Sequence, residues 1–346
     1  LTLNGMRIKE EDFPYRYQEK IMHTLLSAIL HRLAGDGKGP LLSRREAEEF
    51  IHLPASCTTD MLSVAGVVRA ARAPSFFNCG IINAKSGRCP ENCAFCAQSA
   101  HHETGAPVYP FMDEETLLRK AAEAAAHGSR RFGIVVSGTM LGEADVEPLC
   151  RAVERIVRET GMSVCGSLGM LTKKRAACYR EAGVTRYHHN LETAESYFPN
   201  ICTTHAYAED VQSLRVAREA GLEVCSGGII GLGESLEQRV ELACTLAELD
   251  VDSIPLNFLN AIAGTRLEHM PRLAPEEALR AIALFRVMNP DKDLLIAGGR
   301  GHVLGAWQSW LYAAGANGMM IGDYLTTSGA AFEADLSMMR TLGVKS

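Results

Sequence analysis

The 346-residue chain has no apolar run long enough to cross a bilayer, so a helical membrane protein is excluded. It has no basic block and no acidic tail. The net charge of −6 is spread over both signs, which speaks against a nucleic-acid partner and against a solvating arm. No secretory signal is read ahead of the first charged residues, and a cytoplasmic location is expected. Low-complexity segments are absent too, as is any repeat larger than a βα unit. The eleven cysteines lack the even count and the extracellular setting of a disulfide framework. Metal or cluster ligation is the better reading, in a reducing, oxygen-poor compartment.

Three of these cysteines stand together in Gly87-Arg88-Cys89-Pro90-Glu91-Asn92-Cys93-Ala94-Phe95-Cys96, followed by Ala97-Gln98-Ser99. The spacing is C-x3-C-x2-C, and a fourth cysteine is missing. Protein-only [4Fe–4S] sites normally use four thiolates. Three leave one iron open to bind a small molecule and act on it. The rival is structural zinc, which favours paired C-x2-C units. Only one such unit is present, although His101 and His102 offer a fourth ligand. Gly, Pro and Asn mark the stretch as loop rather than core.

Hydrophobic residues make up 47% of the chain, enough for one large core. The first 70 residues read as helical. Tyr17–Leu33 has apolar residues at helical spacing, Ser43 to Glu46 forms a capping box, and a third helix is predicted over Asp60–Ala73. Thereafter short apolar runs alternate with amphipathic ones. Strands are predicted over Phe77–Asn83, Arg131–Ser137, Ser163–Leu168, Arg186–Asn190, Glu223–Ile229, Ser253–Asn257, Leu294–Ala297 and Gly318–Ile321. Predicted helices between them include Asp113–His127, Glu143–Thr160, Thr172–Ala182, Tyr207–Ala220, Leu236–Leu249, Pro275–Met288 and Val303–Ala314. Eight such units fit an α/β fold, a (β/α)8 TIM-type barrel, although periodicity alone would also suit an open sheet. The expected organisation is a helical extension over 1–73, the barrel over 74–327 and a tail over 328–346. In a barrel the cysteine loop follows the first strand, on the C-terminal rim where chemistry sits.

C-x3-C-x2-C after the first strand of a βα barrel resembles the radical S-adenosylmethionine (SAM) superfamily. Further segments are similar to the biotin synthase family: His189-Asn190-Leu191-Glu192-Thr193, Cys225-Ser226-Gly227-Gly228-Ile229-Ile230-Gly231-Leu232-Gly233-Glu234, Ile254-Pro255-Leu256-Asn257 and Ala314-Gly315-Ala316-Asn317. The resemblance spans about residues 80 to 330. It implies that Cys89, Cys93 and Cys96 hold a SAM-cleaving [4Fe–4S] cluster. It implies that Asn190 and Glu192 bind the SAM ribose hydroxyls, and that Gly228 and Gly231 lie against SAM. It also implies dethiobiotin as substrate, with His188, Asn257, Thr326 and Thr327 near it. A flavodoxin- or ferredoxin-like reductant and a homodimer are further implications. Blander readings stand beside these: Asn and Glu cap helices, glycine clusters make turns, and a buried Asn is often satisfied by backbone. Alternatives for the whole chain are another radical SAM enzyme of the same barrel family, a maturase or mutase, or a non-catalytic zinc- or cluster-binding protein.

The chain departs from the family at its second cluster. Most members carry a [2Fe–2S] cluster on three cysteines and one arginine. Cys165 and Cys225 match two of those positions, but Gly133 stands for the third cysteine and Leu295 for the arginine. Cys79, on the first strand, is a cysteine most members lack. If strands one, three and five converge, Cys79, Cys165 and Cys225 make a new auxiliary iron–sulfur site, a cubane with an extra sulfide, with Arg131 nearby to tune its charge. The plainer alternative is that Cys79 is a small buried hydrophobe. His188 stands where the family usually has Asn. The remaining cysteines, Cys57, Cys150, Cys178, Cys202 and Cys244, read as structural.

Overall fold

The computed structural model describes residues 22–35, 37–129, 131–322 and 332–341, and a short antiparallel pair, Thr2–Leu3 with Met6–Arg7. Nine strands build one parallel sheet: β1 (Phe77–Lys85), β2 (Arg131–Val136), β3 (Ser163–Ser167), β4 (Val184–His188), β5 (Glu223–Cys225), β6 (Gly228–Ile230), β7 (Ser253–Phe258), β8 (Asp293–Ile296) and β9 (Gly318–Met320). The sheet closes in the order β1, β2, β3, β4, β5, β7, β8, β9 and back to β1. Strand β6 continues beyond β5 along the same neighbour, β7, so the barrel has eight staves. Nearly continuous burial along β1 fits a parallel strand covered on both faces.

The expected fifth strand, Glu223–Ile229, is broken at Ser226–Gly227. A Cβ on Gly227 would lie 1.9 Å from the Pro255 carbonyl oxygen, so the chain can pass β7 here only as glycine. The break lets Gly227 O accept from Leu191 N and Glu192 N, which anchors the loop after β4.

Three helices precede the barrel: α1 (Thr24–Leu33), α2 (Arg44–Ile51) and α3 (Thr58–Arg72). The Ser43–Glu46 capping box is present on α2. Helix α1 begins later than the expected Tyr17, and residues 17–21 lie outside those described. The barrel helices are α4 (Glu114–Ala126), α5 (Glu143–Thr160), α6 (Lys173–Glu181), the short α7 (Phe198–Ile201), α8 (Tyr207–Glu219), α9 (Leu236–Glu248), α10 (Pro275–Met288) and α11 (Arg300–Leu304); α12 (Phe332–Thr341) follows the barrel. The helix expected over Val303–Ala314 is instead α11 and a 3-10 turn, Gly305–Leu311. Gly305 takes φ +51° and interrupts the α ladder.

Arg286 on α10 is wholly buried and donates to Gly315 O at 2.6 Å and Asn317 Oδ1 at 2.8 Å. Asn317 also accepts from Leu294 N. This explains the Ala314-Gly315-Ala316-Asn317 segment: it locks the last stave to α10. Among the described residues no helix is long and apolar enough to cross a membrane.

Candidate active site

The cysteine loop leaves the C-terminal end of β1, as the barrel reading requires. Its shape is set by the Gln-Ser pair that follows it. Gln98 Oε1 accepts from Asn83 Nδ2 at 3.2 Å and Gly87 N at 3.3 Å, and Gln98 O accepts from Cys89 N at 3.0 Å. Ser99 Oγ donates to Glu91 O at 2.6 Å. Cys89, Cys93 and Cys96 are free and partly exposed. Without a cation they resist ionising: burial raises Cys89 and lifts Cys96 to about 11. A cluster's iron reverses this, because a coordinated thiol loses its proton.

The loop is zipped to residues 201–205 by contacts no motif announced. Ala94 N donates to Ile201 O, Asn92 exchanges hydrogen bonds with Thr203, and Arg266 Nη2 donates to both Asn92 O and Ile201 O. Glu91 accepts from Thr139, Thr204 and, at 2.7 Å, His205 Nδ1. His205 Nε2 lies 3.3 Å from Asp210, which also holds His189 at 2.7 Å. The hydrogen bond to Asp210, opposed by burial and helped by Glu91, lifts His205 to about 10, so it is an imidazolium. Burial pushes Glu91 up, but its hydrogen bonds from Thr139, Thr204 and His205 hold it below the ordinary carboxylate value. Cys202, expected to be structural, hydrogen-bonds Thr204 at 3.3 Å and His205 at 3.4 Å, and its interaction with the neighbouring Cys93 holds Cys202 down and Cys93 up.

This geometry also weighs zinc against a cluster. Thiolates sharing one zinc sit about 4 Å apart, from Zn–S bonds of roughly 2.3 Å. Among the described residues, the group whose ligand atoms gather within 4.8 Å is Glu91, Cys202 and His205, and its members are joined as hydrogen bonds. Among the described residues neither cysteine trio gathers within that distance. His101 turns its Nε2 to Pro90 O and His102 its Nδ1 to Cys96 O, each about 2.9 Å away.

Beside the loop the barrel holds a cavity of about 330 Å³. Its upper wall carries Ser167, His188, Asn190, Glu192 and Asn257, and its lower wall Cys79, Cys165, Cys225 and Leu295. Asn190 and Glu192 lie in the loop just past β4. Glu192 takes φ +64°, a strained conformation costing about 1 kcal/mol or more, held by Ile229 N on its carbonyl. Burial, with the nearby Asp210 charge, lifts its carboxyl to about 8. A partly buried, strained carboxyl that accepts from Asn190 Nδ2 at 3.2 Å keeps oxygen lone pairs for further donors.

His188 accepts from Ser167 Oγ at Nδ1 (3.1 Å), and its Nε2–H donates to Asn190 Oδ1 (2.9 Å). Burial, with repulsion from His189, holds it down at about 4, so the ring is neutral. Asn257 is satisfied by backbone, with Gly298 N donating to its Oδ1 at 2.8 Å, while it borders this cavity and a smaller one beside Phe95, Cys96 and Gln98. Gly228 pairs with the Glu192 backbone, where a Cβ would sit 2.5 Å from Glu192 O. Gly231 lines neither cavity; its N–H donates to Glu234. Thr326 and Thr327 lie outside the described residues.

The lower wall brings together what the sequence scattered. Cys79, Cys165, Cys225 and Leu295 lie on staves one, three, five and seven, the alternation that fills one layer of a barrel. Burial raises the thiol of Cys79 to about 11 and also raises Cys165 and Cys225. Gly133 on stave two stands at the family's cysteine position: a Cβ there would meet Ile81 Cγ2 at 3.0 Å, so a side chain needs Ile81 to give by a few tenths of an ångström. Leu295 fills the family's arginine position with hydrocarbon.

A closed (β/α)8 barrel whose first loop carries three free cysteines at the C-terminal rim is the arrangement of a radical SAM enzyme. The Radical SAM superfamily model matches residues 84–246, and the Biotin and Thiamin Synthesis associated domain matches 255–345. The chain belongs to the biotin synthase family. It is 55% identical to biotin synthase of Nitratidesulfovibrio vulgaris (strain DP4), over 87% of this chain and 83% of that one. It is 49% identical to that of Geotalea uraniireducens (strain Rf4), over 93% and 98%. Among solved structures, methylornithine synthase aligns with a TM-score of 0.76 at 16% identity over 93% of this chain and 97% of that one. An [FeFe]-hydrogenase maturase from Carboxydothermus hydrogenoformans aligns at 0.75 and 14%, over 91% and 78%. Those two share the fold.

Proposed function

We propose that this chain converts dethiobiotin to biotin, replacing two C–H bonds by two C–S bonds. The observation that carries the reading is one cavity with two chemical ends: a SAM-side rim of Asn190 and Glu192, and a base of three thiols. When bound, the loop cluster supplies the electron that cleaves SAM, giving a radical that takes hydrogen from unactivated carbon.

The side chains do the rest. Cys89, Cys93 and Cys96 hold the loop cluster, and Glu192 with Asn190 receives the ribose hydroxyls. Gly228 permits close backbone approach, and Gly231 shapes the turn behind it. His188, a fixed neutral tautomer, orients Asn190 and presents a ring edge to the substrate; Asn257 faces the ureido group. Ile81, Val135, Pro255 and Met320 line the cavity with hydrocarbon and keep water from a reactive carbon. Cys79, Cys165 and Cys225 hold the auxiliary cluster, of cubane type with an added sulfide, with Arg131 close beneath. Thr326 and Thr327 contribute at the substrate carboxylate. A flavodoxin- or ferredoxin-like donor, a homodimer and a cytoplasmic location follow from the family resemblance.

Anaerobic reconstitution followed by incubation with SAM, dethiobiotin and a reductant tests the reading. Biotin and 5′-deoxyadenosine are expected. Deoxyadenosine without any thiolated product overturns it.

A further inference from the structure

A layer of charge flanks the three thiols. Arg186, two residues before His188 on β4, stands in register with Cys165 on one side and Glu223 on the other. Arg131 stands in register with Cys79. Arg186 Nε donates to Glu223 Oε2 at 2.7 Å, and its Nη2 lies 3.4 Å from Asp293 Oδ2. Arg131 Nη2 reaches the same Glu223 oxygen at 3.2 Å.

The four charges cancel formally but differ in exposure. The Arg186 side chain is 7% exposed, Glu223 47% and Asp293 36%. Solvent screens the two carboxylates far more than the guanidinium. Inside the barrel the residual field is therefore positive, and it falls on sulfur. Arg186 pairs across the sheet with Cys165 and stands on the stave beside Cys225, and Arg131 pairs with Cys79, so each thiol has a guanidinium on an adjacent stave. A network serving stability alone could be replaced by packed hydrocarbon at little cost.

We propose that Arg186 is a positioning residue for the sulfur-donor group: its buried guanidinium offsets the negative charge of the cluster on Cys79, Cys165 and Cys225 and sets that cluster's reduction potential. The inference rests on the auxiliary-cluster reading above. Removing the cation favours the oxidised, less negative cluster and lowers its potential. Removing the carboxylate that neutralises it does the reverse.

The test is a reductive titration of the reconstituted holoenzyme, with both clusters followed by electron paramagnetic resonance. R186M is expected to lower the auxiliary potential, R186K to restore most of it, and the loop cluster to stay unchanged as internal control. E223Q, at a half-exposed position that tolerates change, is expected to shift the potential upward and carries the test should R186M fail to fold. Unchanged auxiliary potentials in R186M, or in E223Q where R186M does not fold, with iron and sulfide at parent levels, overturn the role of Arg186. Iron for a single cluster in the parent overturns the auxiliary-cluster reading itself, and this role with it.

Discussion

The two cysteine trios solve opposite problems. Cys89, Cys93 and Cys96 sit within eight residues of one loop, partly exposed, and hydrogen bonds hold the loop in place. Cys79, Cys165 and Cys225 are spread over 147 residues, buried against a cavity, and strands hold them in place. An open loop can admit SAM to an iron; a barrel layer at the base of an enclosed cavity can hold sulfur where a carbon radical arrives. The lesson is that a ligand set can be local in sequence or local in topology, and the second kind needs the barrel before it can be seen.

The largest expected effect separates the trios. Cys93→Ala should abolish deoxyadenosine formation and remove about four irons per chain. Cys79→Ala should remove a similar amount of iron yet leave SAM cleavage intact while ending C–S bond formation. Equal loss of SAM cleavage in both variants would dissolve the distinction.

Next comes the pin that holds the open trio. Glu91→Gln breaks a charge-assisted hydrogen bond to an imidazolium, worth roughly 1.5–3 kcal/mol. It should weaken retention of the loop cluster, seen as faster iron release to a chelator, with no effect on the auxiliary cluster. His205→Asn should match it, and the double variant should add little.

The rim of the buried site gives a pH effect. The His188 ring is held at about 4 in the folded chain against about 6.5 when free. As pH falls, the unfolded chain binds this proton first. Stability is thus full above about pH 6.5 and lost between 6.5 and 4, by at most about 3 kcal/mol. The ring faces a cavity that admits water, which reduces this figure. His188→Asn should flatten that limb of a denaturation-versus-pH curve.

A smaller effect is expected at stave two. Gly133→Cys should lower stability by about 1–3 kcal/mol through crowding against Ile81, and should not create the family's usual cluster. An Ile81→Ala, Gly133→Cys pair relieves the crowding and sharpens the test.

The sequence displays what is local or periodic. The βα alternation, the cysteine loop and the Asn190–Glu192 pair are each contained in a few residues, and the resemblance could name them. Cys79, Cys165 and Cys225 became a trio once alternate staves were assumed to converge, and the closed barrel brings them to one cavity wall. Arg186, Ser167, Cys202, His205 and Arg266 were missed because their partners lie on other elements, in most cases more than a hundred residues away for the loop contacts. Arg186 did leave a trace: an arginine inside the strand Val184–His188, on the face that turns into the barrel, where there is little solvent to offer it. The break after Cys225 and the early end of α11 came from backbone crowding and a positive φ, which composition does not encode.

The central claim is that the buried trio holds the sulfur that enters product. Reconstitution with ³⁴S-sulfide, removal of free sulfide and a single anaerobic turnover measure this directly. Biotin from the parent should carry ³⁴S, while Cys79→Ala, its labelled loop cluster intact, should yield deoxyadenosine and no labelled biotin. Unlabelled biotin from the parent, or labelled biotin from Cys79→Ala at the parent's level, would contradict it.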